Sequence, residues 1–74
     1  MFLSGERVRV ERARRSLTAA EFARLSRISR QALRDTERDG TTSTYIISRI
    51  ASALAMTTEE LCIFDAVKGY KERV

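Results

Sequence analysis

Arg30, Gln31, Arg34 and Asp35 bring two guanidiniums, a carboxamide and a carboxylate into one short stretch that opens on Ser29. A guanidinium is a planar fork that fits guanine O6 and N7, and a carboxamide can pair with adenine N6 and N7. Long polar side chains of this kind at the start of a helix are on an end free to enter a groove. The same residues have a plainer use. Arg30, Arg34 and Arg38 fall at i, i+4 and i+8 with Asp35 and Asp39 interleaved, which also describes a solvated, salt-bridged helix face. Covalent chemistry finds little to work with. The chain has no histidine, one cysteine (Cys62) and no nameable base–nucleophile pair or cofactor motif, so no enzyme, cofactor or ordinary structural zinc site is expected.

Charge points the same way as the side-chain chemistry. Residues 1–30 hold eight arginines against Glu6, Glu11 and Glu21, while residues 41–74 balance at zero, so the net +4 belongs to the first half of the chain. A basic half suggests a polyanion-facing side, with nucleic acid ahead of an anionic membrane. At 74 residues there is room for one small domain. No apolar run approaches the ~20 residues that span a membrane, and no signal-peptide core is visible, so a cytoplasmic protein is expected.

The elements that must carry these groups are helices. Proline is absent, and apolar spacing with capping signals divides the chain into short helical segments. The first is expected from about Ser4 to Arg15, with Leu3, Val10, Ala13 and Leu17 as its inward stripe and Val8 beside it. Thr18 with Glu21 is a capping box opening a second helix that carries Ala19, Phe22, Ala23 and Leu25 and ends near Ser26. Ser29 caps a third through about Arg38, Asp39-Gly40-Thr41-Thr42 is a loop, and Ser43 or Thr44 begins the most apolar helix (Ile46, Ile47, Ile50, Ala51 and Leu54). Thr57 with Glu60 opens a last helix from Thr58 to about Lys68, and Gly69 ends it. Between the second and third helices, small Ala23 allows close backbone approach while Ile28 and Leu33 act as plugs, the grammar of two helices joined by a tight turn.

With those residues in place, the chain resembles the lambda-repressor/Cro (Xre-type) helix-turn-helix family over roughly residues 5–64. GERVRVERARRSLT matches the first helix, FARLSRISRQAL the two-helix motif, ERDG its exit and IISRIASALAMTTEEL the last two helices. The resemblance implies an all-α bundle of five short helices that binds double-stranded DNA. Arg30, Gln31, Arg34 and Asp35 match positions that face the major groove. The DNA backbone falls to Arg9, Thr18, Arg24, Arg27, Ser29 and Arg38, with Thr41, Thr42 and Ser43 as the phosphate-holding loop. Arg12 and Glu37 match a structural ion pair between the first helix and the end of the third. This chain departs from the pattern at Ala19, where a Gln is frequent, at Thr36, where a larger aliphatic is common, and at Arg27, where the turn usually has Gly. A left-handed Arg27 would cost on the order of 1 kcal/mol.

A second apolar stripe on the last helix, Ile63, Val67 and Tyr70, suggests a homodimer contact, and pairing two modules one DNA turn apart suits a palindromic operator. The expected function is a sequence-specific transcriptional regulator, in the first place a repressor, of a bacterial or phage-infected cell. The alternative is an antitoxin whose C-terminal helix holds a toxin while its front binds the operon. A fold of this kind that binds only protein is the third possibility. Cys62 reads as a small buried hydrophobe.

Overall fold

The computed structural model describes residues 1–62. Four helices, α1 (Gly5–Arg14), α2 (Ala19–Ser26), α3 (Arg30–Asp39) and α4 (Thr44–Ala53), are followed by α5 over residues 58–62. Among the described residues there is no strand. One isolated antiparallel bridge ties Leu3 to Thr41, each donating its N–H to the other's carbonyl at 2.9 Å. The expected dimer residues Ile63, Val67 and Tyr70 lie outside the described residues, as does the end of the last helix.

Every helix start carries the hydroxyl cap that its sequence offers. Ser4, Thr18, Ser29 and Ser43 accept from Arg7, Glu21, Ala32 and Ile46 amides. The boxes are reciprocal at α2 and α5, where the Thr18 and Thr57 amides donate to Glu21 and Glu60 Oε1 at 2.8 and 2.9 Å. Each cap satisfies donors that a helix start leaves orphaned and contributes about 1 kcal/mol. The bonds also favour the charged carboxylates: the Thr18 amide and hydroxyl hold Glu21 below the usual carboxylate range, and Thr57 does the same to Glu60.

Three helix ends share one solution. Ser16 (φ 54°), Arg27 (φ 58°) and Ala55 (φ 57°) are left-handed, and the following amides of Leu17, Ile28 and Met56 reach back to the carbonyls of Arg12, Ala23 and Ala51. This is the Schellman pattern, and its apolar follow-on residue is present each time: Leu17, Ile28 and Met56 pack against the core. Glycine, the residue that takes this conformation at least cost, is used at none of the three.

The core gathers Leu3, Val8, Phe22, Ala23, Leu33, Ile47, Ile50, Ala51, Leu54, Leu61 and Cys62. Helix α3 packs on α1 and α2, and α2 packs on α4. The expected stripe along α1 holds at its ends, where Leu3 is buried and Leu17 packs against the core, and fails within the helix. Val10 is 44% exposed and Ala13 is exposed, while Arg7, Val8 and Glu11 are buried. Gly5 selects that face, because a Cβ there would overlap the Glu37 carbonyl oxygen and only glycine lets α1 come this close to α3. At 100° per residue, Val10 lies roughly 140° round the helix from Gly5. Of the apolar residues α2 carries, Phe22 and Ala23 are buried, Leu25 is 56% exposed, and Ser26 takes the remaining buried position.

Candidate nucleic-acid interface

Helix α3 presents its expected groove-facing residues at its exposed first turns, and their partners differ. Gln31 Nε2 donates to Asp35 Oδ1 at 3.0 Å, and Arg38 Nη2 meets the same oxygen at 3.3 Å and Asp39 at 3.0 Å. The hydrogen bond and charge of Asp39, with Asp35 behind, raise the Arg38 pKa, so its charge is fixed. Arg30 and Arg34 are exposed and meet no carboxylate among the described residues. The salt-bridged reading of this face therefore holds at Arg38 and fails at Arg30 and Arg34, whose forks stand open. Ser29 contributes through its hydroxyl, which accepts from the Ala32 amide at 3.0 Å and keeps its own proton to donate.

Beyond α3 the chain turns through Gly40 (φ 76°), where a Cβ would come 2.7 Å from the Leu3 carbonyl oxygen. The loop that follows is pinned from both sides. Thr41 is bridged to Leu3, its Oγ1 accepts from the Ser43 amide at 3.0 Å, and Ser43 Oγ accepts from Ile46 at 3.3 Å. The amides of Thr42, Thr44 and Tyr45 find no acceptor among the described residues. Outward N–H groups at the start of a ten-residue helix, with its positive dipole end behind them, are the parts from which an anion site is made. Thr42 and Ser43 are exposed there.

The ion pair that holds α3 is well formed. Arg12 grips Glu37 through Nε (2.7 Å to Oε2) and Nη2 (3.1 Å to Oε1), and Nη1 donates to the Leu17 carbonyl at 3.0 Å. Arg9, expected on the DNA backbone, donates one Nη1 bond to the Glu37 carbonyl, with the rest of its side chain exposed. Two arginines of α1 thus hold the last turn of α3, one by the side chain of Glu37 and one by its backbone. Thr18 and Arg24 are exposed along α2, the first occupied as a cap, the second beside Glu21. Arg27 stands apart from them at the left-handed end of α2.

Sequence reasoning missed a second charged cluster. Glu11, 3% exposed, is met by Arg7 at 3.1 Å, Arg14 at 3.4 Å and Arg15 at 2.7 Å, and Arg15 also donates to the Leu54 carbonyl at 3.4 Å. The signal was present in the i, i+4 spacing of Arg7, Glu11 and Arg15, which a search for apolar stripes passes over. Arg49 was also missed. Its guanidinium carbon lies 4.9 Å from the centre of the half-exposed Tyr45 ring.

Compared with protein-family models, with curated proteins and with solved structures, the chain finds no match in any of the three. Among the described residues no helix is long and apolar enough to cross a membrane.

Proposed function

We propose that this chain is a sequence-specific DNA-binding regulator, a repressor that grips a palindromic operator as a homodimer through a helix-turn-helix formed by α2 and α3. One observation carries the reading. Arg30 and Arg34 stand open on the exposed face of α3, while Arg38 on the same helix is taken up by Asp35 and Asp39. Unneutralised forks on one helix face, next to a loop rich in outward amides, match the two tasks of a duplex reader: base edges in the groove and phosphates beside it. Arg30, Gln31 and Arg34 read bases. Asp35 orients the Gln31 carboxamide, leaving the amide oxygen and one N–H for adenine. The Thr42, Thr44 and Tyr45 amides, with the Ser43 hydroxyl and Arg24, take phosphates.

Selection of bound duplexes from a random pool tests this. A palindromic winner is expected. On that site Gln31→Ala should lose ~1–3 kcal/mol of discrimination at one base pair per half-site, about 5- to 150-fold. Arg24→Ala should weaken all sequences alike and reduce the slope of log K against log salt by about one. A pool with no enriched sequence at low salt would sink the proposal.

A further inference from the structure

The bonds along α3 restrict what each of its open groups can read. The helix carries Arg30, Arg34 and Arg38 against Asp35, Glu37 and Asp39, a net charge of zero. A neutral helix is a poor clamp for phosphates, so forks left open on it suit an uncharged target with paired acceptors. Guanine, with O6 and N7 side by side in the major groove, is that target. Asp35 and Asp39 withdraw Arg38 from the task, and Arg30 and Arg34 meet no carboxylate among the described residues. These two stand one helical turn apart, about 6 Å along the axis, against ~3.4 Å per stacked base pair. Two guanines with one base pair between them fit that interval.

Gln31 falls between the two forks, about 1.5 Å past Arg30 along the axis and about 4.5 Å short of Arg34. A free carboxamide is ambiguous: its oxygen with one N–H fits adenine, and its two N–H groups fit the two acceptors of guanine. Asp35 removes the ambiguity by taking one Gln31 N–H at 3.0 Å, and Arg38 holds the same carboxylate oxygen at 3.3 Å. An oxygen and a single N–H remain. Only adenine sets a donor and an acceptor side by side to meet them. On the ground of the duplex reading above, we propose that each half-site of the operator carries G·C, A·T and G·C at three consecutive base pairs. Arg30, Gln31 and Arg34 read them, and Asp35 is the positioning residue that makes the middle contact adenine-specific.

The test selects bound duplexes from a random pool, at one salt concentration, with the full chain as parent, as Asp35→Ala and as Asp35→Asn. The parent pool should show guanine, adenine and guanine at three consecutive positions of each half-site, with any other middle base about tenfold weaker. Asp35→Ala frees the second Gln31 N–H and should admit guanine at the middle position about as often as adenine, with the outer guanines still enriched. The lost bond is exposed, so this variant should melt close to the parent. Asp35→Asn, whose amide oxygen still accepts, should keep the adenine preference. A palindrome lacking the spaced guanines, or Asp35→Ala with the parent's middle preference, would overturn this inference and leave the duplex reading standing. A pool with no enriched sequence would sink both.

Discussion

Breaking the Arg12–Glu37 pair should cost far more than a surface ion pair, and unequally from its two sides. Its two bonds, 2.7 and 3.1 Å, are charge-assisted, each worth ~1.5–3 kcal/mol in a sheltered site. The side chains retain 24% and 13% exposure, so water screens part of that, and about 2 kcal/mol of coupling is left. Glu37→Ala strands the guanidinium and should cost ~2.5 kcal/mol. Arg12→Ala loses the pair and also the 3.0 Å bond to Leu17, so it should cost about 1 kcal/mol more. At ~4–8 °C per kcal/mol for a domain of this size, Glu37→Ala should melt roughly 10–20 °C below the parent. The assay is urea and thermal unfolding, followed by circular dichroism, of the parent, both single variants and the double variant. It is best run at ~10–20 °C, where a domain holding only ~4–11 kcal/mol in total is most stable. Added salt should change the coupling little, because a sheltered pair is screened less than a surface one. A coupling below about 0.5 kcal/mol, or equal costs for the two single variants, would refute the reasoning.

Ser16→Gly and Ala55→Gly should each stabilise by about 1 kcal/mol, additively, by relieving a left-handed non-glycine residue; unchanged urea midpoints would show that the strain is absent. Gly5→Ala should destabilise strongly, by ~3 kcal/mol or more, since the methyl group meets Glu37 backbone rather than a yielding side chain; a parent-like melting curve would count against the close approach of α1 and α3. Because their folded pKa values are lowered, Glu21 and Glu60 lend stability that is complete above about 4.5 and lost as pH falls through the folded values. Replacing both with Gln, which can still make the box, should flatten the acid limb of stability measured from neutral pH down to about 3; an unaltered limb would place the acid sensitivity elsewhere.

The parts of the fold written in local chemistry were legible in the chain. Thr18 with Glu21 and Thr57 with Glu60 announced two helix starts, and Ile47, Ile50, Ala51 and Leu54 announced the core face of α4, because caps and apolar periods act over a single turn. Which face of α1 turned inward was not legible. Val10 and Ala13 offered as good a stripe as Val8, and the choice fell to Gly5 and to a carboxylate buried among arginines, both of which depend on α3 being where it is. The Schellman ends at Ser16 and Ala55 were hidden for a related reason: their usual marker is glycine, and here the apolar Leu17 and Met56 secure the geometry instead. At the candidate interface, residue types were readable and partnerships were not. Helical spacing put Gln31, four residues before Asp35, and Arg38, three after it, within reach of that carboxylate, and only the side-chain arrangement shows both bonds made and Arg30 and Arg34 left open.

The bridge between Leu3 and Thr41 makes the amino end a mechanical lever on the α3–α4 loop. Leu3 is anchored in the core, Phe2 lies against Gly40, and two hydrogen bonds carry any displacement of that strap directly to the residue whose hydroxyl holds the Ser43 amide. A dye or solid support joined ahead of Met1 would therefore be wired to the loop. A fluorophore there should report the phosphate capture proposed for the start of α4, and a surface tether there should weaken it, so immobilised binding assays belong on another attachment point.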